Sequence, residues 1–173
     1  MRGDEQHDLV EQFKAAFRRF PAGVALISAI GPNGPVGLTA SSVASVSLKP
    51  LALSFSLSAT TRSSRTVLAA ETFVVHLLAA RDVDVARAFA DPDAPRFTAE
   101  QGWSTLPTGE PVLPSALVAL RCRRLEAVPV GDSTVVVAEV LEIHPNPSAG
   151  PALAYYDRRY RAVDDSTPSP GQG

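Results

Sequence analysis

Hydroxyl side chains are concentrated in this chain where acids are missing. Between Thr39 and Thr66 lie 13 Ser or Thr residues, as many as in all the rest of the 173-residue sequence. From Gln12 to Ala70 there is no Asp or Glu, while Lys14, Arg18, Arg19, Lys49, Arg62 and Arg65 place six positive charges in the same stretch. Hydroxyls, guanidinium groups and the N–H groups that open a helix are the usual ligands of a phosphate. A long acid-free stretch favours an anionic ligand. Two plainer explanations fit the same residues: apolar strands deplete Asp and Glu, and small hydroxyls are tolerated on a packed sheet.

Other chemistries find less support. Gly31-x-x-Gly34-x-x-Gly37 falls between two strand-like runs with no helix after it, so it reads as a hairpin turn and not as a dinucleotide loop. Ser41 and Ser42 lack the frame of a nucleophile elbow. His7, His76 and His144 lie far apart and Cys122 is the only cysteine, which argues against a metal site and rules out a disulfide within the chain. A net charge of −2 and few aromatics among the basic residues argue against nucleic-acid binding. No apolar run approaches membrane-spanning length, and the acidic, polar N-terminus does not read as a secretory signal, so a cytoplasmic protein is expected.

Strands must position the hydroxyl-rich segment. Leu9, Val10, Phe13, Ala16, Phe17 and Phe20 follow helical spacing and predict an amphipathic helix over residues 7–20. Strands are expected at 24–30 and 36–40, with Asn33-Gly34 turning between them. Leu51, Leu53, Phe55 and Leu57 alternate with small residues as one strand. A short helix capped by Ser63 is expected over 63–70, a strand at 73–78 and a helix at 83–89. Residues 91–115 read as a long excursion, and strands at 117–128 and 134–143 join through Gly131-Asp132. A last strand at 152–163 precedes a polar tail, 164–173, that is expected to be disordered; residues 1–163 form one domain. The balance is mainly β, an antiparallel barrel with a few short helices.

Several segments, in order, are similar to the flavin-reductase-like split-barrel family, the small partners of two-component flavin monooxygenases. They are Arg19–Val24, the Ser-rich run Gly37–Pro50, Thr61-Arg62-Ser63, Ala86–Ala90, Arg96-Phe97, Gly109–Leu113, Gly131-Asp132 and Tyr155–Tyr160. The resemblance spans about residues 13–163. It implies a six-stranded Greek-key split barrel, a homodimer, and FMN or FAD reduced by NADH or NADPH for a partner monooxygenase. Carried over by position, the backbone of Val36, Gly37, Leu38 and Thr39 would line the flavin ring, with Ser41 and Ser42 at its edge or ribityl chain. Ser45 and Ser47 would reach the phosphate side, and Ser56, Leu57 and Ser58 would close a strand end over the flavin. Thr61, Arg62 and Ser63 would bind its phosphate, or Ser64, Arg65 and Thr66 if the register slips by three. Arg96 and Phe97 would cover the ligand from the long loop. Ser133 and Tyr156 stand where many members carry histidines near the nicotinamide, and Arg158 or Arg159 would meet a nicotinamide phosphate. Hydride passes directly between the two cofactors, so no catalytic side chain is implied. The two missing histidines keep a second possibility open: a flavin carrier or oxygen-reactive partner without efficient NAD(P)H oxidation.

Overall fold

The computed structural model describes residues 3–164. The expected tail therefore lies outside the described residues except for Asp164. Helix α1 (Gly3–Arg18) starts earlier than the apolar spacing suggested. A short strand β1 (Ala22–Gly23) follows, and then the hairpin of β2 (Ala25–Gly31) and β3 (Gly34–Ala40). The two turn residues are Pro32 and Asn33, and Gly34 supplies the positive φ of 106° just after them. Strand β4 (Ala44–Leu48) turns into β5 (Leu51–Ser58), the strand whose alternation is clearest in the sequence.

Next come α2 (Arg62–Ala69), β6 (Thr72–Leu77), a 3-10 turn at Ala80–Asp82 and α3 (Val83–Ala90). The long excursion contains only a 3-10 turn (Ala99–Gln101) and the short pair β7 (Ser104–Thr105) and β8 (Pro111–Val112). Two 13-residue strands, β9 (Val118–Val130) and β10 (Ser133–Pro145), form a long hairpin. The expected last strand is itself a hairpin, β11 (Ala152–Tyr156) and β12 (Arg159–Val163). Its turn uses Asp157 and Arg158 at φ 45° and 60°, left-handed positions that no glycine marks in the sequence.

One antiparallel sheet runs β3-β2-β6-β9-β10-β5-β4. The six expected barrel strands are all in it, and β4 adds a seventh. Its inner face closes on itself. Ala25, Ile27, Leu53, Phe55, Phe73, Val75, Cys122 and Val136 come from five strands into one buried core, and Val67 of α2 plugs the end. The outer face of β2 packs a second core of Leu26, Leu78, Phe89, Leu113 and Leu153 beneath α3, the excursion and β11. Strand β1 pairs with β11 and β11 with β12, a small second sheet that flanks the barrel.

Buried polar groups clamp the excursion onto the barrel. His76 is fully buried. Its Nε2 accepts from the Leu113 N–H at 3.1 Å, so its Nδ1 carries the proton and donates to the Leu26 carbonyl at 2.9 Å. Burial pulls its pKa down to about 4. Glu110 is equally buried and accepts from Arg121 Nε at 2.7 Å and from the hydroxyls of Thr72 and Thr108. Burial alone would raise its pKa, but these donors outweigh it and hold the carboxyl at about 2. Ser28 Oγ donates to the Pro111 carbonyl at 2.6 Å.

Candidate functional site

A cleft of about 870 Å³ opens at the side of the barrel next to α1. Phe13, Phe17 and Phe20 form one wall, and Ser41, Ser42, Val43 and Ser56 the other. Tyr155, Asp157 and Arg158 close one end. The three phenylalanines are 60–68 % exposed, so the apolar stripe of α1 and Phe20 after it are largely uncovered among the described residues.

The hydroxyl wall is built by strand ends. β3 pairs only with β2, which leaves its second edge without ladder partners as it runs beside β5. Where β3 ends, Ser42 Oγ accepts from the Ser56 N–H at 2.8 Å and lies 3.1 Å from Ser56 Oγ. This pair pins the 41–43 segment to β5 across the split and leaves Ser41 on the rim. Thr39 opens onto an adjoining hollow of about 190 Å³, which it shares with Ser41, Tyr155 and Tyr160.

The structure separates the expected site residues into groups. Val36 and Leu38 turn their side chains into the barrel core, Leu57 is buried there, and Gly37 is buried beneath the excursion. A Cβ on Gly37 would lie 2.6 Å from the Phe89 ring, so the close packing requires glycine. From Val36–Leu38 and Leu57 the main chain is thus the part that can meet a ligand. Arg96 and Phe97 line no part of the cleft. Phe97 stacks among Phe89 and Trp103 at centroid distances of 5.0 and 4.6 Å. Arg96 lies 5.5 Å over the Phe89 ring and donates to the Asp91 and Gly37 carbonyls, while its Nε is buried with no hydrogen-bond acceptor. Ser45 and Ser47 face a different hollow, of about 230 Å³, among Leu48, Leu51 and Leu53.

At the far end of β5, Ser58 stands opposite Ser133 and hydrogen-bonds Thr60 at 2.9 Å. Thr61, not Ser63, caps α2: its Oγ1 accepts from the Ser64 N–H at 3.1 Å. Ser64 is buried against that cap, and Thr66 donates back to the Arg62 carbonyl. Ser64 and Thr66 of the slipped triplet are thereby engaged within their own helix. The N–H groups of Arg62 and Ser63 have no intrahelical acceptor, as at any helix start, and no acid stands in this first turn. Arg62 and Arg65 line a hollow of about 510 Å³ beside the β2–β3 turn.

On the last hairpin, Tyr156 lines neither the cleft nor an adjoining hollow; its neighbour Tyr155 does. The sequence reading missed Tyr155 and the phenylalanine wall. Helical spacing had marked the phenylalanines as an apolar face but not as the side of a cleft. The strongly perturbed groups, His76, Glu110 and Cys122, all lie away from the cleft; burial pushes the Cys122 thiol up to about 12.

Residues 17–164 match the flavin reductase like domain. An NADH:FMN oxidoreductase of Rhodococcus qingshengii is 39 % identical over 151 residues, covering 86 % of this chain and 79 % of the relative. Among solved structures, an NADH:FAD oxidoreductase of Streptomyces globisporus, in complex with NAD and FAD fragments, superposes with a TM-score of 0.82 at 27 % identity, covering 91 % of this chain and 94 % of the other. Nitrilotriacetate monooxygenase component B of Mycobacterium thermoresistibile gives a TM-score of 0.86 at 25 % identity, with 98 % and 94 % covered.

Proposed function

The chain belongs to the flavin reductase like domain family, and from that membership we propose that it is an NADH:FMN oxidoreductase that supplies reduced flavin to a separate monooxygenase component. The observation that carries the reading is the cleft: about 870 Å³, walled by hydroxyls on one side and by phenylalanines on the other, with the end of β3 lining the adjoining hollow. That volume lies within the range of small-molecule sites, and the mixture of apolar wall and few polar groups suits a flat heteroaromatic ring. Flavin bound there would supply the hydride acceptor, with NADH as the donor.

The chain's own part is positioning. The unpaired edge of β3, from Val36 to Thr39, would offer main-chain groups to the polar rim of the ring, apart from the Gly37 carbonyl that Arg96 holds. Ser41 adds a hydroxyl, and the Ser42–Ser56 pair fixes the width of the slot. Ser58 and Thr60 lead along the chain from Ser56 to the start of α2, and there Arg62 and Ser63, with the cap residue Thr61, are proposed to hold the phosphate, Arg62 from the hollow beside the β2–β3 turn. The phenylalanine wall excludes water from the ring face. The names of the relatives favour the reductase over a flavin carrier, and their FMN and NADH specify which flavin and nucleotide are proposed.

We further propose a homodimer. The stripe of α1, with Leu9, Val10, Phe13 and Phe17, is too exposed for a lone subunit and is suited to a second copy. No helix among the described residues is long and apolar enough to cross a membrane, and the proposed setting is the cytoplasm, where NADH is available. The test is direct. Purified protein mixed with FMN and NADH should consume the nicotinamide absorbance band in proportion to enzyme and only with flavin present. No consumption at saturating FMN would overturn the reading.

A further inference from the structure

The two ends of the barrel are finished differently. Where β5 stops at Ser58 and β6 starts at Thr72, α2 joins the strands and its Val67 plugs the core. At the other end β5 starts at Leu51, β6 stops at Leu77, β9 starts at Val118 and β10 stops at Pro145. Here the barrel stays open. The hollow of about 230 Å³ that Ser45 and Ser47 face lies in this mouth, lined by Leu48, Leu51, Leu77, Leu120, Val140 and Ile143 among others. Leu48, Leu51 and Ile143 are 44–78 % exposed, so the hollow is open to solvent.

No charged residue lines the mouth, and its only polar side chains are the two serines. With no basic group beside them, these hydroxyls are not placed for a phosphate. Ser45 stands opposite Leu53 in the ladder, and directly opposite residues of antiparallel strands share a face. Leu53 belongs to the barrel core, so Ser45 is on the inner side of the sheet. Ser47 Oγ accepts from the Lys49 N–H at 3.1 Å. Barrel mouths are common ligand sites, and such sites pair an apolar lining with a few polar groups. An apolar cavity of about 150 Å³ holds one benzene ring. A hollow of 230 Å³ therefore takes a single ring with one small substituent, a rigid body that loses little conformational freedom on entry. We propose that the open mouth of the barrel is a second ligand site, separate from the flavin cleft, for a small aromatic ring carrying one hydroxyl that bonds to Ser45. It backs onto the cleft, because Val43 lines both spaces. The site stands whether or not the cleft reduces flavin.

The experiment titrates the whole protein with phenol, with and without saturating FMN, and follows the methyl resonances of Leu120, Val140 and Ile143. Toluene, which has the same shape without the hydroxyl, is the control. Phenol should shift these methyls saturably with a dissociation constant of about 1 mM or tighter, with FMN present or absent. Ser45→Ala should weaken phenol by about 2- to 10-fold and leave toluene unchanged. Ile143→Trp places a ring of the protein's own in the mouth from a half-exposed position, and phenol should then no longer move Leu120 and Val140. The proposal is overturned if phenol gives no saturable shift, if FMN abolishes the shift and so places phenol in the cleft, if Ile143→Trp binds phenol as the wild type does, or if Ser45→Ala affects phenol and toluene alike. Methyls that move on dilution of the protein and ignore phenol would likewise overturn it, and would assign the mouth to a second copy of the chain.

Discussion

The sealed side of the molecule, where the excursion covers the barrel, and the open side, where α1 overhangs the cleft, use opposite residue types for opposite ends. The sealed side holds His76 and the Glu110–Arg121 pair, all buried or nearly so and hydrogen-bonded within the chain. The open side holds serines, a strand edge and bare phenylalanines. The strongly perturbed acid–base groups are thus structural here, while serines and phenylalanines form the walls of the place where two cofactors can meet, with Asp157 and Arg158 at its end. That division suits a reaction whose chemistry belongs to the cofactors and needs only their placement.

The largest effect that would test this division is on stability. Glu110→Ala strips Arg121 of its buried carboxylate and leaves it only the outer pair with Glu142 at 3.2 Å, a loss at the lower end of the ~3–5 kcal/mol that truncating one member of a buried pair costs. A melting temperature lower by roughly 10 °C or more is expected, with FMN affinity below the transition unchanged. Equal loss of FMN affinity would break the contrast between the two sides.

Acid should expose the same buried groups. The unfolded chain protonates its imidazole below about 6.5, whereas buried His76 resists until about 4. The unfolded state therefore binds more protons across that window, and stability falls as pH drops through it, by about 3 kcal/mol. Glu110 adds a second loss of similar size between 4.5 and about 2, because its native carboxyl stays ionised where the unfolded one does not. Denaturant titrations from pH 7 down to 4 should show the first decline, and His76→Gln, which cannot be protonated, should flatten it.

On the open side, Arg62→Ala with Ser63→Ala should weaken FMN by several kcal/mol, about 100-fold or more, since hydrogen bonds to charged groups contribute about 1.5–3 kcal/mol each. Riboflavin lacks the phosphate, so its affinity should hardly change. Equal loss of both ligands would indicate damage to the barrel, and no loss would move the phosphate elsewhere. The smallest effect on the subunit's own stability is expected from Phe13→Ser with Phe17→Ser, about 0.5 kcal/mol or less, because neither ring is buried. The same variant should turn a dimer into a monomer by light scattering. A wild-type monomer at tens of micromolar protein would refute the proposed assembly.

The sequence was most readable where periodicity and burial agree. The alternation of Leu51–Ser58 marks β5 to the residue, because its apolar face fills the core. Strand β4 went unread because Ala44–Leu48 is an edge strand whose side chains are mostly exposed, so no alternation records it; its serines were read as ligands instead. The final hairpin looked like one strand because Asp157 and Arg158 make its turn without glycine. Glu110 gave no sign of burial in a Pro- and Thr-rich run, since its partners Thr72 and Arg121 are distant in the chain. At the site, Ser41, Ser42 and Ser56 were legible as a hydroxyl group of the right kind, and the structure brings them to one cleft. Tyr155 and Tyr156 could not be told apart by residue type alone. Strand direction decides between them.

The central claim is that reduction takes place in the hydroxyl-walled cleft, and filling the cleft tests it most directly. Ser41→Phe adds a ring on the exposed rim, where no core packing is disturbed. Flavin-dependent NADH oxidation by this variant should fall by about 100-fold or more in kcat/KM, since small misplacements of reacting groups cost that much, while its melting temperature stays that of the wild type. A variant that retains wild-type turnover would contradict the account and place the reaction elsewhere on the molecule.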